Sequence, residues 1–188
     1  MLAATASFIN CSGGHNGDNP SDISASDLSL VTTTLLGNDA RTIMDNMPGE
    51  MKIGTAPVRN TFMAMCHTDV TDDFDNLDGF IHNSAYPSQQ NVLPSEYGTF
   101  KNIRVMVSSL GSNVPNASLL ANKVYNIFCV GMEAYACIKM DNYHATFIYR
   151  PPIYSGPLAM NCTVGYKFAE VPRITNDLWL INLRATHS

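Results

Sequence analysis

The chain is poor in charge. Only 14% of its 188 residues are Asp, Glu, Lys or Arg, against about a quarter in an ordinary soluble domain. A chain this sparsely charged carries broad surface that is neither ionic nor freely solvated, and such surface points to contacts with other chains. Basic clusters are missing as well: no run of Lys or Arg reaches three, and the net charge is −5. Phosphate neutralisation supplies most nucleic-acid affinity, so tight, unassisted binding to DNA or RNA is not expected. No apolar run approaches the length that spans a bilayer. The start, Met1-Leu-Ala-Ala-Thr-Ala6, lacks the basic stretch and the long apolar core of a secretory signal.

Several kinds of chemistry are absent too. No phosphate-cradling loop with its lysine occurs, nor a GxGxxG turn after a strand. The five His, at 15, 67, 82, 144 and 187, never fall four apart. The five Cys, at 11, 66, 129, 137 and 162, contain no CxxC pair and are odd in number. Apolar settings such as Phe128-Cys129-Val130 read as buried, reduced thiols, which favours a cytosolic origin over a disulfide scaffold. Cys11 and His15 make half a metal site with no second pair, so neither a metal nor a cofactor is expected. Asn10, Asn116 and Asn161 head glycosylation sequons whose use would need a secretory route. Asp69, Asp72, Asp73, Asp75 and Asp78 lack the spacing and central glycine of a calcium loop and read as a solvated helix face.

The sharpest catalytic suggestion is Cys66-His67, with Asp69 two residues on. A cysteine nucleophile needs an imidazole within hydrogen-bond reach, whereas neighbours on a strand point to opposite faces. A thiol-dependent hydrolase is therefore an alternative reading and not the leading one.

What is present alternates between helical and extended patterns, so the fold class is α+β. Residues 1–23 are rich in Gly, Asn, Asp and Ser and read as a flexible segment. Ser24-Ala-Ser-Asp27 offers a capping box, and apolar spacing from Leu28 to Met47 predicts a long helix over about 25–47, with Gly37-Asn38 a weak point and Pro48-Gly49 its stop. Thr61–Cys66 is a central strand, and Thr68 an N-cap for an acidic-started helix. Residues 83–98 and 111–122 are loops, and strands are expected at 101–107, 124–131 and 144–149, with a turn or short helix at 131–137. Thr163–Val171 and Leu178–Leu183, around Pro172 and Thr175-Asn-Asp177, read as a hairpin. A hairpin needs a cover for its apolar face, and the helix from Ser24 is the expected one, with Trp179 packed at that closure.

Four stretches, in order, resemble the N4-gp56-type major capsid proteins of tailed bacteriophages. Met65-Cys-His-Thr-Asp-Val70 is similar to that family's strand-ending HPDV turn, with Thr68 in place of Pro. Glu96-Tyr-Gly98 through Ile103-Arg-Val105 is similar to its GEIG and GVRFV segment. Lys123–Val130 with Gly131-Met-Glu-Ala-Tyr135 resembles VY…LVLGxDAY. Gly156-Pro-Leu158, Val164-Gly-Tyr-Lys167 and Asn176-Asp-Leu-Trp179 resemble its closing segment, with Gly156 and Tyr166 where Asp and Trp are frequent.

The resemblance covers about 24–185 and implies an HK97-like capsid fold. In that fold a mixed central sheet with flanking helices forms an axial-type region, here 61–155. A spine helix (24–60) packs on return strands (156–188) in a peripheral-type region, and 1–23 would be a remnant of the extended loop. It implies a structural, non-enzymatic subunit of an icosahedral phage head that assembles into pentamers and hexamers around packaged DNA. A decoration or tail module of a phage is a further alternative. The implied partners are copies of itself and scaffolding, portal or decoration proteins, with DNA held only weakly and no membrane. The implied place is the virion, after assembly in the bacterial cytoplasm. Tyr86, Tyr97 and Tyr154 are the candidate contacts between subunits, because loop aromatics offer large contact area at low ordering cost. With the family's N-terminal arm and most of its extended loop missing from the sequence, the chain alone is expected to be monomeric or weakly associated. A stable hexamer in sedimentation at micromolar concentration would contradict that.

Overall fold

Apolar runs and turn residues sort the chain into a mixed sheet and a separate two-stranded ribbon. The structure is a computed structural model and describes residues 8–11, 20–43, 60–87, 92–115, 123–139, 145–152 and 162–187. Twelve strands are described: β1 (Phe8–Asn10), β2 (Phe62–His67), β3 (Phe80–His82), β4 (Glu96–Phe100), β5 (Ile103–Ser108), β6 (Asn113–Pro115), β7 (Lys123–Val130), β8 (Tyr135–Lys139), β9 (Thr146–Arg150), β10 (Thr163–Lys167), β11 (Glu170–Ile174) and β12 (Leu180–Thr186). The two α-helices are α1 (Ala25–Gly37) and the single turn α2 (Thr71–Asp75). The class is α+β with much sheet and little helix.

Residues 1–134 and 176–188 form one unit, and 135–175 the other. In the first, the sheet order is β1-β12-β7-β2-β5-β4-β3, with β6 also paired to β7. β2 lies parallel to β5 and β1 parallel to β12, and the other pairs are antiparallel. Burial alternates along β2, whereas β7 and β12 are buried on both faces. Phe62, Ala64 and Cys66 of β2 join Ile103 and Val105 of β5, Ile127 and Cys129 of β7, and Ile181, Leu183 and Ala185 of β12 in one core. The cover is α1, through Leu28, Val31 and Leu35, helped by Val70 and by Phe74 of α2. Fully burying each such leucine or valine contributes about 1.5–3 kcal/mol.

Helix α1 begins as the sequence indicates. The Ser24 side chain accepts from the Asp27 amide while the Asp27 carboxylate accepts from the Ser24 amide at 3.2 Å. The helix is shorter than expected, stopping at Gly37 with Asn38 as its cap and Asp39 at φ 55°. Two contacts hold this end: Trp179 Nε1 donates to the Asn38 carbonyl at 2.9 Å, and Asn38 Nδ2 donates to the Leu178 carbonyl at 3.0 Å. Those bonds compete with further helix: residues 40–43 of the expected continuation are not helical, and the Ile43 amide bonds to the Thr61 carbonyl. Residues 44–59 lie outside the described residues. Gly131, where β7 ends, leaves room for this segment: a Cβ there would sit 3.2 Å from the Arg41 carbonyl and 3.3 Å from Ala40.

The C-terminal hairpin is not formed as expected. β12 pairs with β7, from Leu180↔Val130 to Thr186↔Val124, and on its other edge with β1. β10 and β11 pair instead with β9 and β8, so 135–175 is an out-and-back ribbon whose partners are one another. The expected cover of the last strand does hold, since Leu183 and Ala185 pack with α1 and Trp179 closes against Asn38. The first 23 residues are not uniformly flexible either: Phe8–Asn10 is a strand, and Cys11 and Ile23 are buried. Of the stretch 131–137 read as a turn or short helix, 131–134 is a turn, and 135–137 join β8 because a partner strand 30-odd residues later pairs with them, which local pattern does not reveal.

Candidate functional site

The residues singled out by sequence fall at the end of β2 and along the 83–97 connection. At the end of β2, Cys66 is 1% exposed inside the core, and its Sγ donates to the Met106 carbonyl at 3.5 Å. Burial pushes its thiol up to about 12, against an ordinary value near 9. His67 turns elsewhere. Its Nδ1 accepts from the Asp69 amide at 3.1 Å and so caps the 3-10 turn Thr68–Val70, the role expected of Thr68. Its ring lies 5.5 Å from that of Tyr125, whose hydroxyl donates to Asp69 at 2.8 Å. Gly111 packs so tightly on this turn that a Cβ there would come within 2.6 Å of the His67 Cα. The turn is a locked joint, and it does not bring the thiol and the imidazole together.

The acidic stretch behaves mostly as a solvated face, with Asp69, Asp72, Asp75 and Asp78 exposed. Asp73 differs: His187 Nδ1 lies 3.1 Å from it and ties the end of the chain to α2. Burial raises the Asp73 carboxyl, and His187 pulls it the other way. Among the described residues no group of three His, Cys, Asp or Glu is placed to hold a metal ion, and no helix is long and apolar enough to cross a membrane.

The 83–97 connection is organised by a buried carboxylate, which sequence reading missed. Glu96, at the bulged start of β4, is 4% exposed. Arg104 of β5, fully buried, donates from Nε to its Oε1 at 2.7 Å. Tyr86 donates its hydroxyl to the same oxygen at 2.9 Å, and the Leu93 amide donates to Oε2 at 2.9 Å. Asn83 Nδ2 donates to the Glu96 carbonyl at 2.8 Å. A buried ion pair is tolerated only when further hydrogen bonds satisfy its remaining lone pairs, and the loop supplies them. The weak signal for this was a Glu and an Arg at alternating positions of two apolar strands.

Tyr86, expected at a subunit contact, is therefore 8% exposed with its hydroxyl held inside its own domain. Tyr97 is half-buried: it stacks on Phe80 at 5.9 Å, meets His82 edge-on at 4.8 Å, and donates to Asp75. Tyr154 lies outside the described residues, as do the sequons at Asn116 and Asn161. Asn10 is buried in β1.

No family model and no curated protein matches this sequence. Among solved structures, a chain in the head structure of the Helicobacter pylori bacteriophage KHP40 matches with a TM-score of 0.61 and 8% identity. The match covers 98% of this chain and 61% of that one. The fold is thus similar to that of a phage head protein, and this chain spans about three-fifths of its length. The finer N4-gp56-type family finds no support in these comparisons.

Four outcomes follow. Tyr86→Phe should cost about 0.5–1.5 kcal/mol by chemical denaturation, the scale of one hydrogen bond. Arg104→Ala should cost about 3–5 kcal/mol, because it strands a buried carboxylate. A loss of association with no loss of stability in Tyr86→Phe would return that residue to the contact surface. In native protein at pH 8, a thiol reagent should titrate Cys137 and Cys162 quickly, and Cys11, Cys66 and Cys129 only in denaturant. The buried Cys66 and Cys129 thiols stand above their unfolded value, so unfolded thiols ionise first as pH rises. Stability should therefore fall between about 9 and about 12.

Proposed function

We propose that the chain is a structural subunit of an icosahedral bacteriophage head, of the N4-gp56 type and HK97-like in architecture. It would act by assembling into pentamers and hexamers that enclose packaged DNA. The observation that carries this reading is the likeness of nearly the whole chain, 98% of it, to a chain of a phage head. The four motifs, in order along the sequence, support it as well. So does the scarcity of charge, which suits a protein whose surface is spent on neighbours.

On this reading the protein works by mass action and geometry, with no turnover. Repeated heterologous contacts close into rings when the rotation between copies allows it. An acidic chain, at −5, suits a shell whose wall must not grip the packaged nucleic acid. We take 61–155 as the axial-type, ring-facing region, with the connections 84–97 and 111–122 at its contacts. The division into a peripheral-type 24–60 and an axial-type 61–155 is loosened by α1, which covers the same sheet. Scaffolding, portal and decoration proteins are the further partners of such a head, assembled in the host cytoplasm. The hydrolase alternative has no observation in its favour, because the Cys66 thiol is buried and protonated at neutral pH.

Electron microscopy of the purified protein tests the proposal. Closed shells, or rings of five or six copies, are the expected result, and they should survive Cys66→Ala. Isolated particles at every concentration, or a hydrolytic activity that Cys66→Ala abolishes, would sink it.

A further inference from the structure

The ribbon of 135–175 presents one face that its own strands leave bare. In the β9–β10 register Tyr149 is opposite Val164 and Phe147 opposite Tyr166. Directly opposed residues point the same way, so these four side chains share one face. The alternate pairs, Ile148 with Gly165 and Arg150 with Thr163, share the other. On the first face Phe147 is 69% exposed, Tyr149 56%, Val164 58% and Tyr166 76%. Phe168 extends the row, with its ring 6.1 Å from that of Tyr166 and nearly parallel to it.

Scattered apolar residues on a surface mean little, whereas a contiguous patch marks a contact. A fully buried aromatic side chain removes about 150–250 Å² from water, so this row, about two-thirds exposed, offers roughly 500–600 Å². That approaches the roughly 800 Å² that each partner buries in a standard interface. A lone two-stranded ribbon is marginal in water, which adds a reason for the face to be covered.

Charge points to the occupant. Residues 135–175 carry four basic side chains, Lys139, Arg150, Lys167 and Arg173, against two acidic ones, Asp141 and Glu170, a net of +2. With −5 for the whole chain, the sheet unit therefore carries −7. Net charge sets two ribbons against each other and draws a ribbon to a sheet unit, with Arg150 and Lys167 on the face opposite the aromatic row. We propose that the Phe147–Tyr149–Val164–Tyr166 face of one copy docks on the acidic sheet unit of a second copy. This is a heterologous contact of the kind that closes rings. It rests on the head-subunit reading for the identity of the occupant.

The test uses the whole protein. Phe147→Ser with Tyr166→Ser should raise the concentration at half-assembly at least about tenfold, as loss of a central aromatic anchor does. Ile148→Ser, which removes apolar surface from the opposite face, should not, and circular dichroism should be unchanged in both. A second measurement guards against misfolding. p-Benzoylphenylalanine replaces Phe168 in an equal mixture of unlabelled and heavy-nitrogen-labelled copies, and crosslinks are mapped after irradiation. Mixed-isotope crosslinks that end in 1–134 or 176–188 support the proposal. Crosslinks within one chain, from ribbon to ribbon, or to another protein overturn it. Rings or shells that persist in the double variant overturn it while leaving the head reading intact. Wild-type protein that neither assembles nor gives mixed crosslinks defeats both.

Discussion

Everything in the sheet unit depends on the pairing of β7 with β12. These strands are antiparallel neighbours, Val130 opposite Leu180, yet the whole ribbon, 135–175, lies between them in sequence. Closing a loop of some forty residues instead of a two-residue turn costs roughly 2–3 kcal/mol in chain entropy. The ribbon's own β8–β11 and β9–β10 pairs cut into that cost by zipping the insertion together. Against it stand Ile127, Cys129, Ile181, Leu183 and Ala185, all buried. Two or three of these outweigh the loop. The rest follows: β12 gives β1 its only described neighbour, gives α1 a surface to cover, and places Trp179 against the helix end.

The sheet also buries polar groups, and each does positional work. Asn182 of β12, fully buried, donates to Asn126 of β7 at 3.0 Å, and Asn126 reaches Ser112 in turn. The pair bridges the same two strands whose apolar residues form the core on the alternate positions. A slip of one residue would put those asparagines into the apolar side and expel leucine and isoleucine. Glu96 and Arg104 do the same for β4 and β5, where the bulge at Glu96 and Gly98 would otherwise leave the register loose. With so few charges in the chain, one fully buried pair is a large commitment. It makes the loop that carries Tyr86 part of the core and not a free arm.

Local chemistry was legible and long-range pairing was not. The capping box at Ser24 and Asp27 needs only three residues of context, and it is formed. The alternating, β-branched run at 103–107, the Val- and Ile-containing run at 124–130 and the short continuous apolar run at 62–66 are all strands, because each pattern specifies extended backbone locally. The hairpin of Thr163–Val171 with Leu178–Leu183 failed because adjacency is only a prior for pairing. β11 had a better partner in β8, which local pattern had read as a turn. The helix was overrun because apolar spacing carried past Asn38, where a hydrogen bond from Trp179, 141 residues away in sequence, rewards a turn instead. His67 as a cap was hidden for a milder reason. Imidazole accepts as well as a hydroxyl does, but Thr68 beside it has the stronger general preference.

Likeness to a phage head protein at 8% identity is itself a physical statement. Cores tolerate wholesale exchange of apolar residues provided that volume and patterning survive, so the path of the chain outlasts nearly every side chain on it. Turn chemistry at strand ends is more constrained than core composition, because few residue types satisfy a given backbone there. Each of the four stretches that resemble capsid proteins includes such a place, alongside strand interiors such as Lys123–Val130 and Val164–Lys167: the capped turn after β2, the bulge opening β4, the glycine ending β7, and the Asn176 turn before β12, whose side chain accepts from the Leu178 amide. Motifs of that kind report the course of the backbone more than descent within one family. That is why they led to a phage-head fold while the narrower family assignment found no match.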